Sequence, residues 1–136
     1  MIKVVYGNKG IGKTKYLIAS ANTLLDDSMG DVVFINRDNS LVTDLKHEIR
    51  YVNISDFPIF TLDQLLAFIS GLIAENYDIT AIFVDGLAKY DTKQEQYPDF
   101  FAKIKNIAEK FETRFIFSVS GDISNIPEYV NKEYTC

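Results

Sequence analysis

Residues 2–25 read IKVVYGNKGIGKTKYLIASANTLL, and the order of residue types in that stretch decides the architecture. The opening run, residues 2–6 (IKVVY), is short, β-branched and aromatic, and Gly7 ends it. A loop punctuated by Gly7, Gly10 and Gly12 follows, and from Lys13 apolar residues return at helical spacing through KTKYLIASANTLL. Strand, glycine loop and helix in that order open an α/β chain. Working outward, the DDSMG turn chemistry precedes a fully apolar second strand at residues 32–35 (VVFI). The polar loop NRDNS at 36–40 leads to a predicted short helix over 41–48 and a weaker third strand at 51–54 (YVNI). Thr61 is an N-cap for TLDQLLAFISGLIAEN, whose Leu62, Leu65, Leu66, Ile69, Leu72 and Ile73 recur at helical spacing. A fourth buried strand, 81–84 (AIFV), ends in Asp85-Gly86. The polar loop KYDTKQEQY precedes a helix predicted from 98 to 111, and Arg114 leads into a fifth strand, 115–117 (FIF), continuing through Ser118 and Val119. From Gly121 onward the pattern is irregular, with Pro127 opening one last helical turn.

Strands alternating with helices predict a single three-layer α/β/α domain, residues 1–136, around a mainly parallel five-stranded sheet. The size agrees. A chain of 136 residues with 47% apolar content can bury roughly 65 to 70% of its unfolded surface, enough for a core without disulfides or structural metal. One cysteine, Cys136, forms no internal disulfide, and one histidine, His47, removes most metal and triad chemistry. A net charge of -5 argues against a general nucleic-acid or anionic-membrane binder, although a local basic site can still handle phosphate. The most lipid-like stretch, 65–74 (LLAFISGLIA), is far short of the roughly 20 residues of a membrane span. The first residues reach glycine too soon for a signal peptide, which predicts a cytoplasmic protein.

The first loop reads Gly7-Asn8-Lys9-Gly10-Ile11-Gly12-Lys13-Thr14, a complete match to G-x-x-x-x-G-K-[ST] between an apolar strand and an amphipathic helix. Glycines let backbone N–H groups turn toward one point and admit a phosphate without Cβ obstruction, while the helix adds its positive end. Lys13 would reach the β- and γ-phosphates, and the Thr14 hydroxyl would ligate Mg²⁺. The bland alternative is a glycine-rich turn with a solvated lysine. At the end of the fourth strand Asp85 follows four apolar residues, where a carboxylate would hold the Mg²⁺ shell at the carboxyl edge of the sheet.

On these residues the chain resembles the P-loop NTPase superfamily, over most of its length. GTPase base-reading motifs are not matched: Asp85 begins DGLA, and the only later Asn-Lys pair is followed by Glu133-Tyr134. Residues 86–113 contain no arginine, unlike the lid of small-molecule kinases. The RecA-like branch is more similar. That resemblance implies ATP rather than GTP as ligand, with the loop Gly7, Asn8, Lys9, Gly10, Ile11, Gly12, Lys13 and Thr14, and Lys15 beside it, as the nucleotide-binding residues. It implies Lys13 as a catalytic group, Thr14 and Asp85 as metal residues, Asp38 as the water-orienting acid, and Ser118 and Ser120 as γ-phosphate sensors. It also implies the sheet order 3-2-4-5-1. Because the sequence ends soon after the fifth strand, no sixth strand is expected to cover the first; the exposed edge at residues 2–6 is expected to be covered by the tail after Gly121, or else by self-association. Asp38 is one methylene shorter than the family's glutamate, and the sensors are serines. Nucleotide binding with slow or partner-stimulated, Mg-dependent hydrolysis is therefore the expectation.

Other roles remain open for several of these residues. Asp38 within NRDNS can be a turn residue. Arg37, Arg50 and Arg114 can be structural or solvated, and the aromatics Phe57, Phe60, Tyr90, Tyr97, Phe100 and Phe101 can pack a core rather than frame a base. His47 reads as a surface residue, and Lys103, Lys105 and Lys110 as the wet face of a helix rather than a nucleic-acid patch. At the level of function, a nucleotide-responsive adaptor read by a protein partner and a kinase with an atypical acceptor site stand beside the ATPase.

Overall fold

The computed structural model describes residues 1–27, 30–90 and 94–135, without the side chain of Ile11. Part of the DDSMG turn, part of the KYDTKQEQY loop and Cys136 lie outside the described residues. The elements run β1 (Ile2–Gly7), α1 (Ile11–Asp27), β2 (Asp31–Asn36), β3 (Arg50–Asn53), α2 (Leu62–Glu75), β4 (Ile79–Val84), α3 (Tyr97–Phe111), β5 (Arg114–Ser120) and β6 (Asn131–Tyr134). Short 3₁₀ turns at Ile54–Asp56 and Leu87–Tyr90 follow β3 and β4. The strands form one sheet in the order β3-β2-β4-β5-β1-β6, every pair parallel.

Two apolar layers explain why the sheet is covered on both faces. On one face Leu17 and Ala21 of α1 pack on Val5, Val32, Phe34, Ala81, Phe83 and Ile116. On the other, Leu65 and Ile69 of α2 and Phe101 and Ile104 of α3 pack on Val4, Ile35, Ile82, Val84 and Phe117. Alternate residues of each strand thus feed opposite layers, as the period of two requires. The lipid-like stretch lies inside α2, which buries Leu65, Ile69 and Ile73 against α3 and the sheet. Among the described residues no helix is long and apolar enough to cross a membrane.

Thr61 and Pro98 stand at the helix starts where the sequence predicts them. Thr61 caps α2 in a full capping box: its Oγ1 accepts from Gln64 N at 3.1 Å, and Thr61 N donates to Gln64 Oε1 at 3.2 Å. Pro98 opens α3, and Glu112 closes it in the left-handed region at φ 54°. Lys103, Lys105 and Lys110 lie on its exposed face.

Two expectations are overturned. Residues 41–48 form a chain of turns instead of a helix, with Leu45 and Ile49 as buried anchors. The backbone there is bonded from outside: Asn22 of α1 donates to Asp44 O at 3.1 Å and accepts from Lys46 N at 2.9 Å. Those bonds replace the helical ones and pin the segment to α1. The second correction is the sixth strand. β6 pairs with β1 from Lys3↔Asn131 to Tyr6↔Tyr134, Thr135 N donates to Tyr6 O at 2.9 Å, and Lys3 pairs with Glu133 at 3.0 Å. The tail covers the edge of β1, as expected, but as a strand. The route to it runs through a turn closed by Val130 N on Pro127 O at 3.1 Å, with Ile126 and Val130 buried.

Candidate functional site

The loops leaving the carboxyl ends of β1, β2, β4 and β5 meet along one edge of the sheet. The chain leaves β2 toward the α1 face, where Leu45 and Ile49 pack, and leaves β4 toward the α2/α3 face, where Leu87 and Tyr90 pack. Gly7 ends β1, and Asn8, Lys9 and Gly10 are exposed before α1 begins at Ile11. The first turn of α1 carries no acidic residue, so its unpaired N–H groups and positive end face that edge unneutralised.

Among the described residues Lys13 is the one buried lysine, with 5% exposure, against the rule that lysines stay in water. Its Nζ donates to the carbonyl oxygens of Gly7, at 3.3 Å, and of Asn8. The ammonium is thereby held inside its own loop. Thr14, one residue on, reaches across the sheet edge: its Oγ1 lies 3.3 and 3.4 Å from the two carboxylate oxygens of Asp85, 71 residues away in the chain. Lys15 is exposed, and Gly12 is half-buried.

Asp85 sits at the end of β4 with 9% exposure, its N–H bonded to Ile35 O of β2 at 3.1 Å. Its partner on the other side is Ser118 of β5, whose Oγ donates to Asp85 Oδ1 at 2.7 Å and accepts from Gly86 N at 2.7 Å. Thr14, Asp85 and Ser118 thus form one contiguous cluster. Ser120 ends β5 opposite Gly7 in the strand register. Thr14 and Asp85 offer hard oxygen donors, the kind of atom that can hold a divalent cation such as Mg²⁺. Among the described residues no group of three or more His, Cys, Asp or Glu side chains is placed to hold a metal by itself.

Asp38, exposed in the loop after β2, is bonded within its own loop and strand. Its Oδ1 accepts from Ser40 N at 2.8 Å, Ser40 Oγ at 2.5 Å and Asn36 Nδ2 at 3.3 Å. The two bonds from Ser40 hold its carboxyl below the usual carboxylate range against a small opposing effect of burial, with the Lys89 charge adding to the lowering. The carboxylate therefore organises a turn. Two residues that sequence reading passed over support it: Asn36, 3% exposed, also donates to the Tyr51 hydroxyl at 3.2 Å, and that hydroxyl donates to Asp38 O. The available signal was a single polar residue closing an otherwise apolar strand, VVFIN.

Arg37 clamps the segment before α2. Its Nη1 donates to Ile59 O at 3.1 Å, and its guanidinium lies 5.1 Å from the Tyr90 ring centroid and 5.8 Å from that of Phe60. Burial pushes the Tyr90 hydroxyl up, opposed by the Arg37 charge. Of the aromatics weighed for a base pocket, Tyr90, Tyr97, Phe100 and Phe101 are core residues, while Phe57 and Phe60 are exposed. Arg50 and Arg114 are exposed at the opposite edge, where β3 and β5 begin, and the His47 side chain is 96% exposed.

The first glycine of the loop also faces the tail. A Cβ on Gly7 would lie 2.0 Å from the Thr135 carbonyl oxygen, whereas one on Gly10 would meet nothing within 4 Å. The tail therefore abuts the loop at its first residue. Compared with known proteins, the chain matches no family model and no curated sequence.

Proposed function

We propose that this chain is a nucleotide-binding protein of the RecA-like P-loop kind, taking Mg-ATP in preference to GTP and hydrolysing it slowly or when a partner stimulates it. The observation that carries the reading is the meeting of Thr14 and Asp85 across 71 residues of chain, at 3.3 and 3.4 Å. A glycine-rich turn with no ligand role has no need of that pairing; a metal-bridged triphosphate does. Lys13 would leave the Gly7 and Asn8 carbonyls and turn to the β- and γ-phosphates, its ammonium exchanging two neutral acceptors for anionic ones. The loop N–H groups and the start of α1 would hold the phosphate oxygens. Bound Mg²⁺ would supply charge neutralisation at the terminal phosphates; Thr14 and Asp85 would hold and orient its shell.

One observation favours a second reading, a nucleotide-responsive adaptor with little turnover. Asp38, the acid offered for orienting water, already has Oδ1 committed to Ser40 and Asn36. Titration calorimetry with Mg-ATP and a non-hydrolysable analogue, followed by steady-state phosphate release, separates the two. Binding with turnover supports the ATPase; binding without turnover makes the adaptor the better account. No binding of any nucleoside triphosphate with Mg²⁺ present would remove both.

A further inference from the structure

Ser118 has a task that its position within β5 does not announce. A serine hydroxyl owns one proton, and here that proton goes to Asp85 Oδ1 at 2.7 Å. The Gly86 N–H donates back to the same oxygen at 2.7 Å, just where the chain leaves β4 with Gly86 at φ 76°. Ser118 is 2% exposed and stands inside β5, whose neighbours β4 and β1 hold it from both sides. Its hydroxyl has no second proton to offer a phosphate oxygen. We propose that Ser118 is the positioning residue for Asp85: through its paired bonds to Oδ1 and Gly86 N it fixes the carboxylate plane beneath Thr14, and so sets the affinity of the site for Mg²⁺.

The inference rests on the nucleotide reading above and deepens it. A carboxylate at the end of a strand can rotate about its last torsion, which averages away any directed interaction with a cation. One charge-assisted bond from a rigid neighbouring strand removes that freedom. The other carboxylate oxygen stays available, with Thr14 Oγ1 3.3 Å from it. Groups that orient a metal residue in this way typically change metal affinity by about 10-fold to 100-fold when removed.

The test compares wild type, Ser118→Ala and Ser118→Thr by calorimetric titration of a non-hydrolysable ATP analogue, in EDTA and across a Mg²⁺ series. The expected result is that Ser118→Ala binds the Mg-free analogue as wild type does but needs at least about 10-fold more Mg²⁺ to reach the tight state. Ser118→Thr, which keeps the hydroxyl, restores most of the response. An unchanged Mg²⁺ dependence in Ser118→Ala overturns the proposal, and so does an equal loss of Mg-free affinity, which would mean the hydroxyl touches phosphate directly. If Ser118→Ala loses its fold, Ser118→Cys, close in size and a poor donor, makes the same comparison. Failure of the wild type to bind the analogue at all overturns the nucleotide reading itself, and is recognised without any variant.

Discussion

At Gly7 the missing side chain serves the tail as well as the loop. Gly7→Ala would drive a methyl to 2.0 Å from Thr135 O, so either the tail or β1 must move. The expected cost is about 1–3 kcal/mol of stability in the nucleotide-free protein, read by denaturant unfolding. Gly10→Ala meets open space, so its apo stability should match wild type while nucleotide affinity falls, because the methyl enters the volume a phosphate would need. Equal stability of the two variants would refute the tail contact. Asp38 invites a different measurement. A carboxyl whose folded pKa is lowered adds stability above its unfolded pKa and loses it as pH falls through the folded value. Its lowering by Ser40 therefore places the loss below about pH 4, and exposure keeps it small. Asp38→Asn should erase that acid-side component in urea titrations, retain Mg-ATP affinity and, if Asp38 orients water, abolish most turnover. Lys13, Thr14 and Asp85 stand out in the sequence because a fixed local spacing and an apolar strand end mark them. The commitment of Ser118 does not, since a hydroxyl's partner depends on which strand lies beside it.

Elements divide along the same physical line. α2 was readable because its cap, its apolar stripe and its terminus are all local; Thr61→Ala should cost about 1 kcal/mol and lower Tm by a few degrees without touching nucleotide affinity. A thermal melt identical to wild type would show the capping box to be ornamental. Residues 41–48 misled because the residues suit a helix while Asn22, some twenty residues away, takes the backbone groups. β6 was invisible for the opposite reason. Its sequence, NKEY, has neither β-branched residues nor alternation, and it is a strand through backbone pairing with β1 and the Lys3–Glu133 contact. Edge strands of this short, charged kind discourage further pairing.

For the molecule as a whole, the sheet order 3-2-4-5-1 expected from the sequence is present within β3-β2-β4-β5-β1-β6. Truncation after Val130 removes β6 and bares β1, so the shortened protein should self-associate in sedimentation velocity; a truncated chain that stays monomeric would show that β1 needs no cover. Ligand linkage is the complementary whole-molecule test. Mg-ATP at about a hundred times its dissociation constant should add roughly 2.7 kcal/mol, a shift of several degrees in the melt, and Lys13→Ala should abolish most of it. A melt that no nucleoside triphosphate moves would sink the binding reading.

The close approach of Thr135 to Gly7 also marks a place for a reporter. Met1 is bonded to Phe115 at the far end of β1, roughly 20 Å from Gly7 by the rise of six strand residues, so a tag placed there stands clear of the loop. The only thiol, Cys136, is joined directly to the residue that touches Gly7. A polarity-sensitive dye coupled to Cys136, the residue after Thr135 in the sequence, would test whether ligand arrival is felt along the tail, in a protein that has no tryptophan of its own to report it.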